Sequence, residues 1–184
     1  MSGTVRIGPA DGHVTIRTYR EGLAAQAGHD LVLAFAVWSA TAAAPGGDAE
    51  PSSVDPVLEA HVDLTSLRVI EGTGGVKPLT DRDKRDIAGN ARKVLDTEHH
   101  PEAVYRATGF TRSGEGGVVD GTLSLHGVDR PLRLAVTKLE SGGYRATATV
   151  RQTEFGIRPY SGFFGALKLR DTVEVEAEAA AGNL

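Results

Sequence analysis

Residues 31–44 read LVLAFAVWSATAAA, and Ser39 and Thr41 are the only polar side chains in this run. The run is too short for a membrane-spanning helix, which needs roughly 20 apolar residues. It shows no apolar stripe at spacings of three and four, and the turn-forming stretch PGGDAEPSS follows it, so a helix is disfavoured. A strand that is buried on both faces has such a near-continuous apolar sequence. We therefore interpret residues 31–44 as a doubly buried strand.

The composition is that of a folded globular protein. The chain has 184 residues, of which 40% are hydrophobic and 24% are charged, so it can bury a full core. Cysteine is absent, which excludes disulfides and thiol catalysis. The net charge of −4 disfavours nucleic-acid binding through a basic surface. We expect one domain over residues 1–184, with its core at about 10–180.

Seven further segments alternate between apolar and polar side chains, the two-residue period of a half-buried strand. Together with the run at 31–44 they make eight expected strands, several of them joined by turns of hairpin length. The seven segments are His13–Arg20, Asp55–Leu64, Ala103–Thr111, Val118–His126, Pro131–Lys138, Tyr144–Thr153 and Asp171–Ala179.

One segment has a helical pattern instead. Apolar residues recur at positions i, i+4, i+7 and i+8, which indicates a helix with one apolar face. Thr80 is a suitable N-cap, and Pro101 lies beyond the expected end. We predict one helix over about residues 80–96, between the third and fourth strands, and loops at 44–56 and 72–78. The residues of the apolar stripe are Ile87, Ala91, Val94 and Leu95.

Eight antiparallel strands and one helix predict a mainly β fold, an eight-stranded antiparallel up-and-down barrel, because closure removes the exposed strand edges. The helix, or a partner subunit, would cover the outer face of residues 31–44. We therefore expect Ile87, Val94 and Leu95 to pack against the outside of the sheet. A sandwich of two sheets is the alternative architecture.

The order of these features resembles the YceI-like family, lipocalin-like barrels that bind polyisoprenoids and related lipids. The resemblance covers roughly residues 10–180, and its most specific part is the hairpin GTLSLHGVDRPL. It implies a lipocalin-like barrel with a lipid ligand. The N-terminus differs from better-known members because it shows no secretion signal. The matching stretches are AGHDLVLAFAVWSAT, VDLTSLRVIEG, DRDKRDIAGNARKVLDTEHHPEAVY, VVDGTLSLHGVDRPLRLAV and RQTEFGIRPYSGFFGALKLRDTVEVEAEA.

The positions expected to face the barrel interior are apolar and often small. Many small residues leave volume for a chain-like ligand, whereas the alternative is a core that is packed with its own alanines. Phe35 and Trp38 lie three residues apart, so both face the interior only if a β-bulge shifts the alternation between them. The expected interior positions are Ala60, Gly121, Leu123, Leu125, Leu134, Ala146, Ala148, Val150, Ala177 and Ala179.

The stretch FGIRPYSGFFGALKLR at 155–170 is the most site-like loop. Gly162 and Gly165 flank two phenylalanines and allow the backbone of a lid over a cavity mouth. Basic side chains in the same loop, including Arg170, are suited to a phosphate or carbonyl head group. The alternative is an ordinary barrel corner with aromatic plugs. The candidate ligand-binding residues are Phe35, Trp38, Leu123, Leu134, Ala148, Val150, Phe155, Arg158, Tyr160, Phe163, Phe164 and Lys168.

Two functions from different classes are compatible with these residues, and a dimeric stress-related scaffold with an incidental lipid is a third possibility. The first is a binding or carrier protein that sequesters a polyisoprenoid, an isoprenoid quinone or a related lipid. The second is an enzyme that uses the same cavity, a cyclase or hydrolase with His29, His126 or Asp120 as acid or base. An acid–base enzyme needs ionisable groups in the cavity, and the expected interior contains none, so binding is favoured.

The histidines and the N-terminal segment bear on metal binding and on cellular location. No histidine pair has the spacing of zinc ligands, and the adjacent pair His99-His100 is expected to be solvated. His29 and His126 lie at turns, where an imidazole commonly bonds to backbone groups. We predict no catalytic residue, no cofactor and no metal. No apolar segment of a signal peptide precedes the first strand, so we expect a cytoplasmic protein without a membrane span, with a hydrophobic ligand and a homodimer as partners.

Overall fold

The structure is a computed structural model that describes residues 4–43 and 58–180. These residues form fourteen strands and one α-helix. The expected loop at 44–56 lies outside the described residues. The elements are β1 Thr4–Ile7, β2 Gly12–Thr18, β3 Arg20–Glu21, β4 His29–Phe35, β5 Trp38–Ala43, β6 Leu58–Asp63, β7 Leu67–Gly74, α1 Asp81–Val94, β8 Glu102–Ser113, β9 Gly116–Leu125, β10 Val128–Lys138, β11 Tyr144–Arg151, β12 Ser161–Gly162, β13 Leu167–Leu169 and β14 Thr172–Ala179.

Eleven strands form one curled antiparallel sheet. Its order is β1-β5-β6-β8-β9-β10-β11-β14-β2-β4-β7. Strands β8 to β11 are neighbours in chain order because short turns join them, as the alternating segments predicted. A second, three-stranded sheet in the order β12-β13-β3 forms beside the large one. The mainly β, antiparallel fold with one helix is confirmed.

The run at 31–44 is divided between two strands, which corrects the expectation of one. The chain bends at Ala36 and Val37, between β4 near one end of the sheet order and β5 near the other. A one-turn 3₁₀ helix at Leu64–Ser66 makes the matching bend between β6 and β7. The bends are bonded together, since the Asp63 amide donates to the Val37 carbonyl at 3.0 Å. The two ends of the sheet order are therefore joined by a bent, paired ribbon.

The expected count of eight strands is wrong, since the sheet has eleven. The first bend divides the expected strand at 31–44 into β4 and β5, and β7, which follows the second bend, was not among the expected strands. Strand β1 was not expected because its four residues, TVRI, are too few to show a period. The loop expected at 72–78 begins later, because β7 extends to Gly74.

Helix α1 begins where the sequence predicts but packs differently. Thr80 is its N-cap, and the Thr80 and Asp83 side chains bond reciprocally to each other's backbone amides in a capping box.

The helix lies against β7, and it follows seven strands rather than three. The side chains of Lys84 and Arg92 donate to the carbonyls of Ile70 and Leu67 at 3.1 Å each. Within the described ranges, this helix is the longest, and no helix is long and apolar enough to cross a membrane.

The apolar stripe of α1 faces the interior of the curled sheet. Ile87, Ala91 and Leu95 pack in the same cluster as Leu31 and Leu33 of β4. The expectation that this stripe covers the outside of the sheet is wrong. On the outer side of the run, Ala34 is buried whereas Val37 is 55% exposed. The helix thus forms part of the interior wall beside the edge strand β7.

Tyr105 of β8 crosses the sheet interior over a glycine. Its hydroxyl lies 3.2 Å from the carbonyl of Val119 and 3.1 Å from that of Leu132. Burial raises the pKa of Tyr105 to about 12. A Cβ atom at Gly121 would fall on the Tyr105 ring, so only glycine at this position leaves the ring its place.

The outer surface of the sheet carries paired charges. His61 of β6 bonds through Nε2 to Glu59 at 2.7 Å and through Nδ1 to Glu102 at 3.0 Å. The hydrogen bond to Glu59, and then the one to Glu102, raise the pKa of His61, although partial burial opposes them. The bond from His61 lowers the pKa of Glu59, and Arg106 also contacts that carboxylate at 3.2 Å.

We expect Gly121→Ala to destabilise the protein by about 1–3 kcal/mol, because the added methyl group displaces the Tyr105 ring. Chemical denaturation measures the change. Gly109→Ala is the matched control, since a Cβ at Gly109 in the same sheet meets nothing within 4 Å. Equal effects of the two substitutions would contradict this account of Gly121.

The His61 contacts predict a pH-dependent contribution to stability. A histidine with a raised pKa stabilises the folded state fully below its unfolded pKa, and this contribution is lost as the pH rises through the folded value. The difference in free energy of unfolding between wild type and His61→Gln should therefore be larger at about pH 5.5 than at about pH 9. It should be small, because the His61 side chain is 37% exposed. A difference that grows with pH would show that the assignment is wrong.

Candidate functional site

An apolar cavity of about 860 Å³ lies inside the curled sheet. This volume is within the range of about 300–1,000 Å³ that is typical of small-molecule sites. Side chains from the large sheet, α1 and the loop at 155–170 line it. Lining residues alternate along each strand, because successive side chains point to opposite faces. Typical lining residues are Val14, Ile16, Leu31, Leu33, Val62, Leu125, Val136 and Val175.

Small side chains keep one wall of the cavity open. Ala146 on β11 is paired with Ala177 on β14, and Ala148 is paired with Val175. All four line the cavity and are half-buried rather than fully buried. Large side chains at these positions would fill the interior, as in a packed barrel. Of the ten positions expected to face inward, nine line the cavity, and the tenth, Gly121, lies beneath Tyr105.

The structure brings seven of the twelve candidate ligand-binding residues together around the cavity. Phe35 and Trp38 both line it, because the bend at Ala36 and Val37 separates them into two strands and resets the alternation. The bend thus has the effect expected of a β-bulge, since it lets both side chains face the interior. The seven lining residues are Phe35, Trp38, Leu123, Leu134, Ala148, Val150 and Tyr160.

The other five candidates lie outside the lining. Phe155 is 2% exposed and packs with Val150 in a separate apolar cluster. Arg158 and Lys168 are exposed. Phe163 and Phe164 are 65% and 113% exposed. In the second half of this loop it is Leu167 and Leu169 that contact the cavity, together with Tyr160.

The turn at Phe163 and Phe164 has an unusual backbone. Their φ values are +49° and +54°, in the left-handed region that non-glycine residues rarely adopt. Glycines stand on either side, and the Ala166 amide closes the turn on the Phe163 carbonyl at 3.1 Å. Two aromatic side chains are thereby presented to solvent next to residues that line the cavity.

One end of the cavity is polar. Thr18, Arg20, His29, Gln152 and Tyr160 line it there. The Thr18 hydroxyl is buried without a hydrogen-bond partner among the described residues. The Arg20 guanidinium is held by the Gly28 carbonyl and lies 3.8 Å from Asp30. Tyr160 and His29 were among the candidate residues, whereas Thr18, Arg20 and Gln152 were not predicted to line the cavity. The alternation of Thr18 with Val14 and Ile16 in the sequence is nevertheless consistent with an inward-facing side chain.

Ionisable residues also line the cavity near the opposite end of the strands. Arg112 and Glu115 lie at the β8–β9 turn, and Glu178 lies near the end of β14. Glu178 accepts a hydrogen bond from Arg145 Nε at 2.6 Å, which holds the pKa of Arg145 above its usual value. Apart from Tyr105, the expectation of an interior without ionisable residues therefore applies to the middle of the cavity and not to its ends.

The three candidate acid–base residues are dispersed. His29 lines the cavity, and its Nε2 is 2.9 Å from the Lys77 carbonyl. His126 bonds through Nδ1 to the Phe155 carbonyl at 3.0 Å, which confirms that both histidines bond to backbone groups. Asp120 accepts from Arg133 Nε at 2.8 Å on the opposite face of the sheet. The structure does not bring these three residues together.

Comparison with known proteins gives a family match over most of the chain. The sequence model of the YceI-like domain matches residues 8–181. A UPF0312 protein of Pseudomonas syringae pv. syringae is 35% identical over 90 residues, which cover 44% of this chain and 47% of the relative. A UPF0312 protein of Pectobacterium carotovorum subsp. carotovorum is 26% identical over 87 residues, which cover 42% and 45%. The alignments thus span less than half the length of these curated relatives.

Two solved structures share the fold. The crystal structure of Burkholderia cenocepacia BcnA has a TM-score of 0.61 at 14% identity and covers 91% of this chain and 94% of its own. A polyisoprenoid binding domain from Saccharophagus degradans, implicated in plant cell wall breakdown, has a TM-score of 0.54 at 14% identity and covers 98% and 99%. At such low identity the likeness shows the fold and nothing finer.

Proposed function

The chain belongs to the YceI-like family, and we propose that it binds a long apolar molecule in its cavity and sequesters or carries it. The observation that carries this proposal is the cavity of about 860 Å³ with a lining that is apolar along its middle. A polyisoprenoid, an isoprenoid quinone or a related lipid is the proposed ligand class. The structural likeness to a polyisoprenoid binding domain supports this choice.

The energetics favour a chain-like ligand. Each methylene group moved from water into an apolar site contributes roughly 0.8 kcal/mol, so a long tail binds tightly without specific polar contacts. In the proposed complex the tail lies against Phe35, Trp38, Leu123 and Leu134, and the alanines of β11 and β14 leave space for it. An empty apolar cavity lowers stability, and the ligand restores the missing contacts.

The ligand's polar end is proposed to lie beside Thr18. A carbonyl or hydroxyl group there would give the buried Thr18 hydroxyl the partner that it lacks among the described residues, and Arg20 and His29 line the same end. A larger head group could reach Arg158 and Lys168 by passing Tyr160. The Phe163-Phe164 turn would then lie outside the ligand as a lid.

The enzymatic alternative has less support, because His29, His126 and Asp120 are dispersed and an acid–base reaction needs such groups at one point. Turnover of a bound isoprenoid by the purified protein would favour it. The cytoplasmic location and the homodimer expected from the sequence stay predictions. Fractionation of the native host and light scattering would test them.

We expect isoprenoid quinones of increasing chain length to raise the melting temperature progressively, because a ligand that binds only the folded state stabilises it. Ala148→Phe should abolish this shift by filling the cavity. Thr149→Phe is the matched control, since Thr149 is exposed on the other face of the same strand. No shift with any chain length at saturation, or equal losses in both variants, would contradict the proposal.

Thr18→Val should distinguish the contribution of the ligand's polar end to binding from the contribution of its apolar tail. Without ligand we expect this variant to be about 1–3 kcal/mol more stable, because it removes a buried, unbonded hydroxyl. With an isoprenoid quinone its affinity should fall, whereas the affinity for a linear hydrocarbon of equal length should be unchanged. Calorimetric titration measures both affinities. An equal change in affinity for the two ligands would show that the polar end does not lie beside Thr18.

A further inference from the structure

A cluster of two histidines and one aspartate lies outside the cavity lining. Asp96 and His100 belong to the turn that follows α1, and His126 lies at the β9–β10 turn. One potential ligand atom from each residue lies within 4.8 Å of the others. The two imidazole rings have centroids 4.7 Å apart. We propose that Asp96, His100 and His126 form a binding site for a divalent transition-metal ion.

Existing hydrogen bonds orient two of the three side chains for this purpose. His126 Nδ1 lies 3.0 Å from the Phe155 carbonyl, so Nδ1 carries the proton. Nε2 is then the nitrogen whose lone pair can bind a metal ion. Such a bond to a backbone carbonyl is the usual outer partner of a metal-ligating histidine. Asp96 Oδ1 bonds to His99 Nδ1 at 2.8 Å, which fixes the orientation of the carboxylate that would bind the ion.

The backbone at the cluster is held in an uncommon conformation. Asp96 has φ of +49° and His126 has φ of +54°, although neither is glycine. Residues in this region are unfavourable and persist where the surrounding structure holds them, often at functional sites. The neighbouring Gly127 also has positive φ, and a Cβ there would lie 3.0 Å from His100 Cε1. Glycine at 127 therefore leaves room for the His100 ring against the turn.

The donor set selects the class of ion. Two imidazoles and one carboxylate suit Zn²⁺ and neighbouring first-row divalent ions, whereas Mg²⁺ and Ca²⁺ prefer oxygen ligands. Three protein ligands leave a fourth position for water. The cluster was not visible in the sequence, because His126 is 26 residues from His100 and only the fold brings them together.

The site would clamp one end of the cavity. Leu95, next to Asp96, and Leu125, next to His126, both line the cavity. An ion shared by the two turns would tie the C-terminal end of α1 to the β9–β10 hairpin. Through the His126–Phe155 bond it would also hold the turn at 152–155. This clamp is independent of the proposed lipid ligand.

Calorimetric titration of Zn²⁺ into chelator-treated full-length protein tests the site. We expect saturable binding of one ion per chain and a rise in melting temperature on addition of Zn²⁺. His100→Gln and Asp96→Asn should each weaken binding at least about tenfold and abolish the rise in melting temperature. These variants leave the His126–Phe155 bond in place, and circular dichroism confirms that they fold. The visible spectrum of bound Co²⁺ reports nitrogen and oxygen ligation directly.

His13→Gln is the matched control. His13 lies within the same 4.8 Å limit of Glu176 and Glu178, but Arg145 already pairs with both carboxylates. This variant should bind Zn²⁺ as the wild type does. Absence of saturable binding, or a loss with His13→Gln that equals the loss with His100→Gln, would overturn the proposal.

Discussion

The rest of the structure depends on the bent ribbon that joins the two ends of the sheet order. The Asp63 amide donates to the Val37 carbonyl at 3.0 Å, and the Ser66 hydroxyl lies 3.0 Å from the Val37 amide and 2.6 Å from the Asp63 carbonyl. The Asp63 side chain accepts from the Thr65 amide at 2.8 Å. These bonds satisfy the polar groups that a sharp bend removes from a strand ladder. Without the bend, the same strands would form an open sheet with no enclosed interior.

Enclosure alone does not make a binding site, because a small barrel can fill itself with its own side chains. Here the inward positions along the middle of β11 and β14 are alanine and valine, paired across the two strands. Their small volume leaves apolar surface facing empty space, which lowers stability relative to a packed core. The cavity therefore lowers the stability of the ligand-free protein, and an apolar ligand would restore it. This connects the small inward side chains of β11 and β14 with the proposed function.

Helix α1 extends this wall beyond the strands. Lys84 and Arg92 bond to carbonyls of β7, the last strand of the sheet order, while the apolar stripe of the helix faces the cavity. The C-terminal end of the helix meets the β9–β10 turn at His100 and His126. The end of the cavity that holds Thr18 and Arg20 is thus bordered by this helix and by loops, and loops move more readily than paired strands.

The sequence by itself determined most of the strands, the helix and the apolar character of the middle of the interior. Period-two alternation and a capped stripe at helical spacing are local properties, so Val173 and Val175 of β14, and Thr80 and Ile87 at the helix, could be assigned without the fold. The tertiary structure decided what depends on distant partners: the break of residues 31–44 into two strands, the inward side of α1, the unbonded Thr18 hydroxyl and the meeting of Asp96 with His126. Each of these follows from backbone bends and contacts between residues far apart in the chain, and a local pattern carries no record of which distant residue will be its neighbour.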